Sequence, residues 1–472
     1  MQDICSYALE LGQNRSSYVE VKAERALSNE FALKNGKPET SGFDSIYGLS
    51  VRVLVDGALG FASTNDLKRD NIKSVVEDAC KMAKLASKLI KKPIVFSEEE
   101  KHSGAKYEVK SRTAFDDVSA EEKLGLLKSV NKSIPKDVKL AGNLMQLSDT
   151  LKEKYYMNSE GSSISAIIPN ISFFGFFTVV ESGDSAQAML EKGASKGWEA
   201  IDEWDLENYV SGEMSTLKNV LKEGRKPPSG KMDVLCGPEV TGIASHESCG
   251  HPYEADRILG REAAQAGESF VSLDMMGTRI GSEGVTLVDD PTLENSYGFY
   301  LYDDEGVKAR KRYLIKDGMI NDLLHNRETA GQLGLKSNGS ARCNNYDREP
   351  IVRMANTYVE AGDWDRDEVI EDTKRGVLIN SFTEWNIDDR RYNQKYVSRE
   401  AYYIEDGEIK HPVKKAVLEL TTPKFWSSVD AIAKDISFFA GNCGKGEPMQ
   451  GIPVLMGGPT MRLRDISMGV AV

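Results

Sequence analysis

Apolar residues recur along this chain with two different periods, and each change of period marks an element. Residues 2–13 are amphipathic at the helical period, whereas Tyr18-Val19-Glu20-Val21-Lys22 and Leu49-Ser50-Val51-Arg52-Val53 alternate, which predicts a helix followed by strands. Between residues 66 and 90, Ile72, Val75, Val76, Ala79, Met82, Ala83 and Ala86 fall on one helical face and predict a long helix. Ser119 and Glu122 have the spacing of a capping box, so a further helix is expected through residue 134. The aromatic run from Ile164 to Val180, with Phe173, Phe174, Phe176 and Phe177, predicts one or two strands buried in a sheet core.

The pattern then breaks. Pro227-Pro228 stops the preceding helix, Lys226-Pro227-Pro228-Ser229-Gly230 has the composition of a linker, and Met232-Asp233-Val234-Leu235-Cys236 opens a new strand. Beyond it, short strand-like runs lie between glycines. The fold class expected is α+β with two domains, since 472 residues are too many for one ordinary core. Residues 1–228 would form a domain of strands and long helices, and residues 229–472 a β-rich domain.

Composition narrows the function. A formal charge of −13 repels nucleic acid, so no nucleic-acid partner is expected. Lys84, Lys88, Lys91 and Lys92 read as the solvated last turns of a helix. The six cysteines include no C-x-x-C pair, which fits a reducing compartment. Met1-Gln2-Asp3-Ile4 leads into an amphipathic segment, and no apolar run approaches the roughly 18 residues of a membrane span. A cytoplasmic protein with no membrane partner is the expectation.

The chemistry concentrates in Ser245-His246-Glu247-Ser248-Cys249-Gly250-His251-Pro252-Tyr253-Glu254-Ala255-Asp256-Arg257, where two of the chain's five histidines flank a carboxylate. Neutral imidazole is the commonest metal ligand. The spacing is H-E-x-x-x-H rather than the H-E-x-x-H that stacks both rings on one helix face. On a regular helix, i and i+5 diverge by about 140°, so one metal can take both rings only at a π-bulge or where the helix ends between them. Gly250 and Pro252 flank His251 and permit such a break. A catalytic zinc wants a third protein donor and an open position. Cys443, in Ala440-Gly441-Asn442-Cys443-Gly444-Lys445, is the candidate: glycines allow close backbone approach, and Lys445 could favour the thiolate. An inert thiol in a Gly-rich turn is the alternative. Glu254 and Asp256 would either back the imidazoles or face solvent, Cys249 reads as packing, and His325 and His411 have no ligand-spaced neighbour.

These segments in this order resemble the TldD side of the TldD/TldE (PmbA) metallopeptidase family. The resemblance rests on the H-E-x-x-x-H run continuing to Glu254-Ala255-Asp256-Arg257, on Cys443-Gly444-Lys445, and on Gly451-Ile452-Pro453-Val454 leading to Gly458-Pro459-Thr460. Gly48-Leu49-Ser50-Val51-Arg52 with Gly60-Phe61-Ala62, and Arg353-Met354-Ala355-Asn356-Thr357-Tyr358, also match. The resemblance implies a zinc-dependent peptidase with one Zn2+ per chain held by His246, His251 and Cys443, iron or cobalt being alternatives, and with Glu247 as general base. It further implies a dimer, with a TldE-like subunit or a second copy, enclosing the site in a tunnel. Its substrate would be an unfolded or flexible peptide pairing with a strand edge. Arg353, Asn356 and Thr357 could touch that peptide or belong to ordinary strand and loop structure. A non-catalytic or regulatory metal-binding subunit is the rival reading; a nucleobase deaminase would need H-x-E and P-C-x-x-C, which are missing. The chain departs from the family between Phe382 and Arg391, a segment rich in charge and aromatic residues where a Gly-rich stretch is common.

Overall fold

The computed structural model describes residues 1–262 and 268–470. The predicted first helix is Gln2–Gln13. The two alternating runs are the inner parts of much longer strands, Tyr18–Lys34 and Lys37–Val55, paired antiparallel with Val21 opposite Val51. The outer part of the second, Lys37–Tyr47, carries no alternation because it faces solvent and has no core to pack on, whereas the first buries Phe31, Ala32 and Leu33 consecutively near its end. The long helix is shorter at both ends than predicted, Arg69–Ala86, and buries Ile72, Val75, Val76, Ala79 and Ala83 while Met82 lies outside. Ser119 and Glu122 form the capping box, opening Ala120–Ser133. The aromatic run is one strand, Ser163–Glu181, with Phe173 and Phe177 buried.

Seven strands from this half make one sheet, in the order Ala58–Thr64, Lys37–Val55, Tyr18–Lys34, Lys139–Asn158, Ser163–Glu181, Ala105–Glu108, with Asp184–Ala194 also paired to Ser163–Glu181. Helices Gln2–Gln13 and Arg69–Ala86 close one apolar core, and Ala120–Ser133 and Leu206–Glu223 another.

From Lys231 onward the strands form different sheets. Lys231–Cys236 lies in an eight-stranded sheet between Arg375–Ile387, which is parallel to it, and Met461–Ser467, which is antiparallel. A six-stranded sheet runs Met319–Ile320, Arg312–Lys316, Leu287–Asp289, Asn356–Val359, Gln450–Gly458, Ser437–Lys445. The helix Pro238–Ser245 starts with proline at its first turn, where the missing N–H costs nothing. It packs against Gln450–Gly458 and Asn356–Val359 of one sheet and Arg375–Ile387 of the other, inside the largest apolar core. Ser437–Lys445 is the edge strand of its sheet, and Asp184–Ala194 from the N-terminal sheet lies against it. Among the described residues, no helix is long and apolar enough to cross a membrane.

Candidate metal centre

The helix Pro238–Ser245 does not end at Ser245 but widens. His246–Gly250 is a π turn in which the His251 N–H donates to the His246 carbonyl, and His251–Tyr253 then tightens to a 3-10 turn. One extra residue per turn is what i, i+5 spacing needs to bring both rings to one side. Their centroids are 5.0 Å apart, at 81° to each other. Gly250 is needed for space rather than for its torsions: its φ is −54°, but a Cβ there would lie 1.9 Å from Met354 Sδ.

Cys443 reaches the same point from the edge strand. Its Sγ lies 3.4 Å from His251 Nε2, and ligand atoms of His246, His251 and Cys443 all fall within 4.8 Å of one another. All three are buried, at 3%, 3% and 6% exposure, so an ion held there would be shielded on the protein side. Each imidazole is oriented through its other nitrogen. Glu254 Oε2 is 3.1 Å from His251 Nδ1 and Thr357 Oγ1 is 3.4 Å from His246 Nδ1, which leaves both Nε2 atoms for a metal. Burial pushes the Cys443 thiol up, yet His251 and Arg353 together outweigh it and bring it down to about 7. Burial pulls His246 below its ordinary value, towards the neutral ring that ligation requires. Two imidazoles and a thiol poised to ionise, converging on one buried point, fit a zinc ion.

Several sequence expectations are refined here. Lys445 is not what favours the thiolate: its ammonium binds Asp256 at 2.7 and 2.8 Å and the Val352 carbonyl at 2.8 Å. Glu254 is buried, accepts from Arg257 Nε at 2.7 Å, and has Lys445 Nζ at 3.3 Å; these cations and His251 overcome burial and hold it well below the carboxylate range. Asp256 touches neither imidazole and acts through Lys445. Arg353, Asn356 and Thr357 are fully buried and cannot meet a substrate. Arg353 donates to the carbonyls of Cys443 and Gln450, Asn356 donates to the Asp290 carbonyl, and Thr357 steadies His246. Cys249 is core, its thiol pushed well up by burial. His325 is buried against Thr329, and His411 stacks on Tyr403.

A cleft of about 270 Å³ opens onto the three donors. Glu247 sits in it, and burial raises its carboxyl less than His251, Arg391 and His246 lower it, so it is held ionised below its ordinary value. Arg391 Nη1 donates to Glu247 Oε2 at 2.7 Å. The rest of the lining was not legible as a site from sequence: Phe382, Trp385 and Arg391 from the segment that departs from the family pattern, Glu239 and Ile243 from the helix, and Met189, Glu191 and Tyr209 from the N-terminal half. The departure between Phe382 and Arg391 was the one available signal. Burial raises the Glu191 carboxyl to about 7, and raises Glu239 to about 7 against the pull of Arg399.

A buried two-histidine, one-cysteine centre with a carboxylate beside it, set in an α+β fold, has the donor set of a metal site. Residues 229–470 match the PmbA/TldA metallopeptidase C-terminal domain, residues 19–83 domain 1 of that family and residues 114–219 its central domain; the chain belongs to the PmbA/TldA metallopeptidase family. A metalloprotease of Methanocaldococcus jannaschii is 32% identical over 449 residues, covering 94% of this chain and 95% of that one. A protein of Saccharolobus solfataricus named zinc metalloprotease TldD homolog is 26% identical, covering 98% of each. The crystal structure of TldE from Thermococcus kodakarensis shares the fold at a TM-score of 0.75 and 18% identity, over 99% of this chain and 100% of that one.

Proposed function

We propose that this chain is a zinc-dependent peptidase that hydrolyses unfolded or flexible peptides, with His246, His251 and Cys443 as ligands of one zinc and Glu247 as general base. The observation that carries the reading is the convergence of those three donors within 4.8 Å, beside an ionised carboxylate that faces the same cleft. Membership of a metallopeptidase family and the zinc metalloprotease name of the relative from S. solfataricus support it. When bound, the metal supplies a Lewis acid that acidifies water and polarises a carbonyl. Glu247 then takes the proton of the attacking water on a carboxylate oxygen and passes it to the leaving nitrogen. Glu254 and Thr357 hold the rings, and the apolar walls Ile243, Phe382 and Val454 exclude bulk water.

The edge strand Ser437–Lys445 lines the cleft from Phe439 to Gly444 and no strand among the described residues pairs with its outer edge. An extended peptide can add there as a further strand, which gives affinity through backbone with little sequence preference. The shared fold with TldE supports pairing with a TldE-like subunit, a second copy being the other arrangement. Six free thiols support a cytoplasmic setting.

The test is metal content and cleavage of an unstructured labelled peptide, with and without a TldE-like partner. The wild type is expected to hold one zinc and cut. Cys443→Ser should lose both, and Glu247→Gln should keep the zinc and lose turnover. Zinc retained in full by Cys443→Ser sinks the ligand assignment, and cleavage retained by Glu247→Gln sinks the base.

A further inference from the structure

Arg391 sits in the turn between strands Arg375–Ile387 and Asn393–Glu405, at φ +63°, a left-handed conformation that L side chains rarely adopt. The turn is fixed in place. Asp388 accepts from the Tyr392 N–H at 2.8 Å and the Asn393 N–H at 3.0 Å, and the Thr422 hydroxyl donates to the Arg391 carbonyl at 2.8 Å. From this turn the guanidinium reaches Glu247.

The guanidinium is under-used. It carries five donors, of which Nη1 binds Glu247 Oε2 at 2.7 Å, while Nε has no hydrogen-bond partner among the described residues. The side chain is 15% exposed and lines the cleft together with His246, His251 and Cys443. A second acceptor is therefore expected from what enters the cleft, and the oxygen that arrives beside Glu247 during peptide hydrolysis is the scissile carbonyl.

Resting on the peptidase reading above, we propose that Arg391 is a catalytic residue that neutralises first the Glu247 carboxylate and then the substrate oxyanion. In the first step, the water oxygen bonds to the carbonyl carbon, its proton goes to Glu247, and the carbonyl π pair moves onto the substrate oxygen. One negative charge thus passes from Glu247 to that oxygen. A planar guanidinium can address both oxygens from one position, so it need not reorganise as the charge moves. In the second step, the pair returns to re-form the carbonyl, the C–N bond breaks, and Glu247 gives its proton to the leaving nitrogen, restoring the resting ion pair with Arg391.

The full chain, with its partner if cleavage requires one, is compared with Arg391→Ala and Arg391→Lys. Zinc content, peptide cleavage, and affinity for a phosphinic peptide that mimics the tetrahedral species are measured for each. Arg391→Ala is expected to keep its zinc and its KM, to lose roughly 10²-fold in kcat, and to lose phosphinic-peptide affinity by a similar factor. Millimolar guanidinium chloride should restore part of that kcat, and Arg391→Lys, which keeps the charge without the fork, should fall between. An Arg391→Ala enzyme as fast as wild type, or faster, overturns the proposal, the second case meaning that the arginine is a latch on the base. A loss carried entirely by KM overturns it in favour of substrate binding, and a loss of zinc in both variants overturns it in favour of a structural role. A wild type that cuts nothing defeats the peptidase reading and this inference with it, whereas an active wild type with an active Arg391→Ala defeats this inference alone.

Discussion

Glu191 has no charge partner among the described residues, unlike Glu239 and Glu247 in the same cleft. Glu247 has Arg391 and Glu239 has Arg399 at 2.9 Å, but only burial acts on Glu191, raising it from 4.5 to about 7. The sign follows from linkage. The folded state holds the Glu191 proton more tightly than the unfolded chain, so its contribution to stability is fully present below pH 4.5 and is lost as pH rises through about 7. Glu191→Gln should therefore raise the denaturation midpoint at pH 8 and leave it unchanged at pH 4. A gain of equal size at both pH values would mean that the carboxyl does not titrate in the folded protein near neutrality. Glu191 also lies 3.5 Å from where a Cβ on Gly441 would stand, so its protonation changes the charge of the wall two residues from Cys443.

At the scale of elements, the π turn sets the position of the two histidines. H-E-x-x-x-H cannot converge on a regular helix, and the widened turn at His246–Gly250 resolves the mismatch. Gly250→Ala would push a methyl group into Met354, which is fully buried and has little room to yield. The expected cost is about 1–3 kcal/mol, with weaker zinc retention against a chelator, since relaxing the clash unwinds the turn that brings the rings together. Gly250→Ala combined with Met354→Ala should recover much of that retention. No recovery would mean that the glycine serves something other than space. The same element shows what the sequence made legible. The ligand spacing, the break at Gly250 and Pro252, the capping box at Ser119 and the inner alternating runs are local properties of the chain, and each could be read. Arg391, Glu239 and Tyr209 could not, because only the packing of strands distant in sequence brings them to one cleft. Arg353 and Thr357 were readable only as polar, with substrate contact and ordinary strand structure both open, since sequence does not show that they are buried beside Cys443 and His246. The outer half of Lys37–Val55 was missed because a stretch with no buried face has no alternation to see, and that of Tyr18–Lys34 because Phe31, Ala32 and Leu33 are buried in a row.

Across the whole molecule, the chain crosses from one set of sheets to another at residues 226–230, where Lys226, Ser229 and Gly230 are exposed. We propose the division of the chain there, although the halves are held together by more than the covalent link. Arg52, only 3% exposed, bonds Glu20 at 2.6 Å within its own half and Glu305 at 2.6 Å in the other. Lys154 reaches Asp304 at 3.0 Å, and Arg327 Nη2 donates to the Ser97 carbonyl at 2.7 Å. The cleft itself is shared, with Glu191 and Tyr209 on one side of the link and His246 and Cys443 on the other. If a protease site is built into residues 226–230 and cut, the two pieces should elute together and keep both zinc and cleavage. Because the pairs are buried, raising the salt should separate the pieces little. Arg52→Ala in the same nicked protein leaves Glu20 and Glu305 without their cation, at a cost of about 3–5 kcal/mol, and should release the pieces under conditions where the nicked wild type holds. Wild-type pieces that part as readily as the variant would mean that the buried charges do not join the halves and that the covalent link alone keeps the cleft closed.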